Sequence, residues 1–188
     1  MSDGELTFWM RAPFVFWSFV FCVFGSVVGS FLNVCIYRMP RDLSLAKPGS
    51  QCPGCGFAIP WRLNIPIVSW LWLRGKCRQC AESISPRYLG VELLTGLAFL
   101  ASWLAFGEQT TTGVLLAMTW GFVLAGLIAA TFIDFEHFII PDQITLGGVG
   151  FGFIVSAALP ALHHAERPAD SLMSSAVSYT HLTLPTKA

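Results

Sequence analysis

Charged residues are missing from long stretches of this chain and crowded into the intervals between them. Phe14 to Ile36 runs 23 residues without a charge, and Gly113 to Ile133 and Ile144 to Leu162 carry none. Tyr88 to Phe106 is apolar apart from Glu92. Each stretch is close to the roughly 20 residues that a helix needs to cross a bilayer. The pattern predicts an all-α polytopic membrane protein with about four transmembrane helices. Gly25-x-x-x-Gly29 and Ser26-x-x-x-Ser30 in the first stretch, and Gly148-x-x-x-Gly152 in the fourth, place small residues where helix backbones approach within lipid. They favour a packed bundle over isolated spans.

Composition agrees. The chain has 188 residues, 54% hydrophobic and 12% charged, where a soluble domain carries about a quarter charged residues. Its mean hydropathy is +0.63. Arg11 precedes the first apolar run, but no small-residue cleavage site follows it, so the run reads as a retained anchor.

Net charge is zero, yet eight of the eleven basic residues lie between the first two spans: Arg38, Arg41, Lys47, Arg62, Arg74, Lys76, Arg78 and Arg87. The loop Gly107 to Thr112 has none. The positive-inside rule puts the long loop in the cytoplasm and the N-terminus outside. Counting spans brings the connection Asp134 to Gln143 to the same cytoplasmic face.

The long loop holds two C-x-x-C pairs, Cys52-Pro53-Gly54-Cys55 and Cys77-Arg78-Gln79-Cys80, separated by 21 residues. This spacing suits a four-thiolate zinc site, each pair forming one knuckle of a small, ribbon-like lobe. Gly54 and Gly56 suit the tight backbone a knuckle requires. A cytoplasmic location disfavours disulfides, and no βαβ pattern accompanies the pairs to suggest redox chemistry. Four thiolates leave no open coordination position, so the metal's role is structural. Cys22 and Cys35, inside the first span, read as small buried hydrophobes.

The remaining chemistry is acidic. Asp134-Phe135-Glu136-His137 follows the third apolar run directly, and Pro141-Asp142 closes the segment. An acid at the end of a span is costly unless it reaches water or a partner, which makes Asp134 a candidate functional residue. Glu92 at the start of the second span reads as reaching the interface, and His137 as a solvated interfacial histidine.

Taken together these stretches resemble the type IV prepilin peptidases. The resemblance rests on Gly29-Ser30-Phe31-Leu32-Asn33-Val34-Cys35-Ile36-Tyr37-Arg38-Met39-Pro40, the cysteine pairs and Asn64-Ile65-Pro66-Ile67-Val68-Ser69-Trp70-Leu71. It continues through Ile84-Ser85-Pro86-Arg87-Tyr88, Val91-Glu92-Leu93-Leu94-Thr95-Gly96, and Asp134 with Ile140-Pro141-Asp142. It covers about residues 20 to 150, in the family's order. It implies a membrane-embedded aspartic endopeptidase of a bacterial inner membrane, serving pilus assembly or type II secretion. Such enzymes cut the basic leader from prepilins and pseudopilins, then methylate the new N-terminus with S-adenosylmethionine. By correspondence Asp134 is the first catalytic aspartate, with Asp142 a second candidate; the residues that hold S-adenosylmethionine stay unassigned. The implied partners are the precursors and the lipid bilayer, with no nucleic acid.

The resemblance divides the chain into an outer N-terminus and first helix (1–37), a cytoplasmic zinc loop (38–87), partial peptidase-core helices (88–162) and a tail (163–188). The family's second aspartate comes from a later Gly-x-Gly-Asp segment, which this sequence lacks. On a continuous helix, Asp134 and Asp142 would stand about 12 Å apart, where a shared proton needs about 3 Å. The expectation is a C-terminally shortened, catalytically inert chain whose last dozen residues, from about 177, are foreign. Two rival readings stay open: a non-enzymatic membrane adaptor docking a partner through its zinc loop, and a thiol oxidoreductase.

Overall fold

The computed structural model describes residues 13–52, 54–139 and 141–159. It is helical, with no strand among the described residues beyond two isolated bridges in the cysteine loop. The helices are α1 (Phe14–Arg38), the short α2 (Val68–Trp72), α3 (Pro86–Phe106), α4 (Thr111–His137) and α5 (Asp142–Ala158), with 3-10 turns at Met39–Arg41 and Trp61–Leu63. Among the described residues, three segments are long and apolar enough to cross a membrane: Phe14–Arg41, Pro86–Phe106 and Thr111–His137. The fourth expected span is helical for 17 residues, from Asp142 to Ala158; Leu162 and the tail lie outside the described residues.

Helix starts follow local chemistry. Ser85 caps α3 by accepting from the Arg87 N–H, with Pro86 in the first turn, where its missing N–H costs nothing. Thr110 caps α4 by accepting from the Gly113 N–H. Helix α4 also runs beyond the apolar stretch that announced it. Asp134, Glu136 and His137 occupy its last turn, so most of the expected connection Asp134 to Gln143 is helix. Phe138 then turns left-handed at φ 54°, and Pro141 precedes α5.

Helices α1, α3 and α4 pack as a bundle, while α5 touches only α4 among the helices with substantial contact. The α1–α3 seam is built on small residues. A Cβ at Gly25 would lie 2.7 Å from Phe99 Cβ, and one at Gly29 would lie 2.8 Å from Glu92 Cα. Van der Waals contact at this distance replaces the hydrophobic drive that lipid cannot supply. Beside the seam, Phe21 and Phe14 stack on the fully buried Trp103, and Phe99 meets Phe24 and Phe122 edge-on. The fourth segment's motif behaves differently: Cβ atoms at Gly148 and Gly152 would meet nothing within 4 Å. Its small residues seat no partner among the described residues.

Two cross-ties join the three helices at one end of the bundle. Asn33 Nδ2, near the end of α1, donates to the Tyr88 carbonyl at the start of α3 (3.0 Å). Arg87, one residue before, pairs with Glu136 in the last turn of α4. The cysteine loop, the start of α3 and the Asp134 segment therefore share one end of the bundle.

Candidate functional site

The cysteine lobe is two copies of one turn. In the first, the Cys52 N–H donates to the Phe57 carbonyl and the Gly56 N–H to the Cys52 carbonyl, both at 2.9 Å. In the second, the Cys77 N–H donates to Glu82 (2.8 Å) and the Ala81 N–H to Cys77 (3.0 Å). An isolated bridge closes each turn, Gln51 with Ala58 and Lys76 with Ser83. The residue after each second cysteine is left-handed, Gly56 at φ 70° and Ala81 at φ 57°. Gly56 thus has the role that its sequence position suggests. Gly54 serves through space instead, since a Cβ there would overlap the Glu82 carboxylate.

These turns bring the four sulfurs within 4.8 Å of one another. Cys52 Sγ lies 3.7 Å from Cys80 Sγ, and Cys55 Sγ 3.9 Å from Cys77 Sγ, so the close pairs cross between knuckles. All six cysteines are free. Zinc–sulfur bonds of about 2.3 Å in a tetrahedron put sulfurs roughly 3.8 Å apart. The donor set and its spacing therefore fit zinc, with Cys52, Cys55, Cys77 and Cys80 as its ligands. The backbone N–H groups of Cys80 and Gln79 favour a thiolate on Cys77 and pull it down to about 6. At Cys80 the Glu82 N–H acts the same way, but burial and the neighbouring sulfurs outweigh it and push the thiol up to about 12. Cys35 is buried in α1 and Cys22 half-buried, as small apolar residues would be.

The acidic segment lies at the same end of the bundle. Asp134 and Asp142 are both exposed, Asp134 in the last turn of α4 and Asp142 in the first turn of α5. The break at Phe138 means that no single helix joins them, and the spacing of a continuous helix does not apply. Among the described residues neither carboxylate is ion-paired; Glu136, between them, is held by Arg87. His137 is half-buried; its Nε2 is shielded from solvent without a hydrogen bond and lies 4.0 Å from Glu136 Oε2.

Glu92 also differs from expectation. It is buried, and its Oε2 accepts from the Ile67 N–H at 2.7 Å. Ile67 has φ 63° and ψ −53°, and the Val68 N–H reaches the Pro66 carbonyl at 2.6 Å. That is a γ-turn of the rare, strained kind, here at a β-branched residue. The signal was available in the sequence: a carboxylate inside a span with no cation nearby needs donors, and loop backbone can supply one. Arg38 is likewise absorbed by the loop, donating to the Ser44 and Pro48 carbonyls at 2.8 and 2.6 Å.

Comparison with known proteins gives this arrangement a context. The family described as "Bacterial Peptidase A24 N-terminal domain" matches residues 23–106. A prepilin leader peptidase/N-methyltransferase of Myxococcus xanthus is 43% identical over 160 residues, covering 84% of this chain and 44% of the relative. The enzyme of that name from Aeromonas hydrophila is 38% identical, covering 76% of this chain and 57% of its own. A type 4 prepilin-like proteins leader peptide-processing enzyme of Escherichia coli is 41% identical over 153 residues, covering 71% and 55%. No solved structure matches. The chain spans about half the length of the curated relatives it matches. Over the span it shares with them, helices, cysteine lobe and acidic segment together, the chain belongs to the prepilin leader peptidase/N-methyltransferase family.

Proposed function

We propose that this chain carries the membrane-edge half of an aspartic endopeptidase that removes basic leaders from prepilins or pseudopilins in a bacterial inner membrane. The observation that supports it most is the convergence of the cysteine lobe and Asp134 at one end of a three-helix bundle. In this reading that end faces the cytoplasm, as the eight-to-zero contrast in basic residues requires. A precursor with an apolar helix and a cationic leader then presents its junction at the depth of Asp134.

Asp134 is one catalytic carboxylate. In such a pair one group takes a proton from water while the other protonates the scissile carbonyl. Collapse of the tetrahedral species gives the leader carboxylate and a free amine on the mature chain. S-adenosylmethionine supplies an electrophilic methyl group for that amine. Asp142 is the second candidate carboxylate; otherwise the partner comes from the part of the relatives' length that this chain does not span. Zinc on the four cysteines shapes the lobe and takes no part in bond cleavage.

The test is cleavage of a prepilin by the enzyme carrying Asp134→Asn, Asp142→Asn or neither, alongside this 188-residue chain alone. Loss of cleavage only with Asp134→Asn, and inactivity of the chain alone, are the expected outcomes. Full cleavage by the Asp134→Asn enzyme would overturn the assignment. Cleavage by the chain alone that both substitutions abolish would instead place the whole pair here.

A further inference from the structure

Glu92 sits six residues after the start of α3, about 9 Å along the helix from Pro86, and its carboxylate accepts from the Ile67 N–H. Since α3 is 21 residues long, about 31 Å, its ends mark the edges of a hydrocarbon core of about 30 Å. A loop residue bonded to Glu92 therefore lies below the level at which the span enters the bilayer. The short α2 follows directly. Its inner side belongs to the cysteine lobe: Trp70 Nε1 donates to the Ile84 carbonyl (3.3 Å), and the ring covers Gly75.

The outer side of α2 has no such partner. Val68, Leu71 and Trp72 recur at helical spacing and are 54%, 57% and 82% exposed, and Ile65, just before the helix, is 43% exposed. At the same depth Leu93 and Leu94 of α3 are exposed too, so the apolar stripe continues the surface of the span. Between Trp61 and Lys76 the chain carries Arg62, Arg74 and Lys76 and no acid, which suits anionic headgroups. Trp61, 74% exposed, lies with its indole near the Arg62 guanidinium. Tryptophan with arginine beside an apolar stripe is the composition of a membrane interface.

We propose that Ile65, Val68, Leu71 and Trp72 form a lipid-contacting wedge seated at the headgroup–acyl boundary of the protein's own bilayer. The wedge sets the height of the cysteine lobe above the Asp134 edge, with Glu92 as its anchor. The inference rests on α3 and α4 spanning the membrane, and the experiment separates the two.

Benzoylphenylalanine is placed singly at Trp72, at Leu127 in the middle of α4, and at Arg78 on the cysteine lobe. The full chain is reconstituted in phosphatidylethanolamine–phosphatidylglycerol vesicles, irradiated, and its adducts are mapped by mass spectrometry. All three side chains are exposed, so none of the substitutions removes packing. Lipid adducts at 72 are expected near the level at 127 and roughly tenfold above 78, bonded at upper acyl carbons rather than at chain ends. Adducts at 127 with none at 72 would overturn the wedge. Chain–chain crosslinks at 72 in place of lipid adducts would overturn it in favour of a second copy. Absence of lipid adducts at 127 would remove the spanning arrangement itself, and the wedge with it.

Discussion

Ala81 does in the second knuckle what Gly56 does in the first, but with a Cβ that the left-handed region disfavours by roughly 1–2 kcal/mol. Ala81→Gly is expected to stabilise the metal-bound lobe by up to about 1 kcal/mol, after the added flexibility of glycine in the unfolded chain. Competition for zinc against a chelator would read this as tighter retention. The sulfurs also differ before metal arrives. With Cys77 held near 6, its thiolate is already formed at neutral pH, whereas Cys80 near 12 still carries its proton. Zinc uptake at pH 7 should then release about one proton fewer than the number of ligands, measured in weakly buffered solution. As pH falls through about 6, Cys77 too must be deprotonated by the metal, and affinity should drop more steeply. A lowered thiol pKa stabilises the lobe at high pH and loses that effect on acidification, so the sign agrees.

At the scale of elements, four glycines separate packing from mere composition. Gly29→Val puts methyl groups where Glu92 Cα already sits and should cost about 1–3 kcal/mol, unfolding or splaying α1 from α3. Gly148→Ala meets open space and should be neutral, or gain up to about 1 kcal/mol of helix propensity. Thermal melts in detergent would rank the two. The sequence showed identical motifs in both helices, and what differs is the opposing surface. Helix positions were readable because charge-free runs of bilayer length have few other uses. The ends were less so: α4 extends through Asp134 to His137 because the apolar pattern stops before the hydrogen-bonded backbone does. The γ-turn at Ile67 was illegible, since nothing in Pro-Ile-Val announces it; the Glu92 carboxylate imposes it from 25 residues away. Glu92→Ala leaves that part-buried N–H without an acceptor, at up to about 1–3 kcal/mol. Hydrogen exchange over residues 65–72 should accelerate, while Glu92→Gln, which keeps an acceptor, should stay close to the parent.

For the whole molecule, the basic loop and the acidic segment were predicted to share a face, and Asn33, Arg87 and Glu136 join them at one end. The paired cysteine spacing likewise predicted the cluster; the crossed pairing of Cys52 with Cys80 depended on the fold of the whole lobe. Cysteine-accessibility mapping in intact cells should find residues 40 to 87 on the cytoplasmic side. Labelling of this stretch from outside would overturn the topology.

The Arg87–Glu136 pair bears on a different moment in the protein's life. Glu136 follows Arg87 by 49 residues. At a synthesis rate of about 5–20 residues per second, the acid leaves the ribosome roughly 2–10 s after the arginine. The insertion machinery therefore meets Arg87 as a bare cation, and the mature contact forms only after α3 has its direction. Orientation is then a record of the order of translation, not a property that the finished pair enforces. Glu136→Gln should leave the direction of α3 untouched even where it loosens the fold, and only changes to the basic residues themselves should weaken that record.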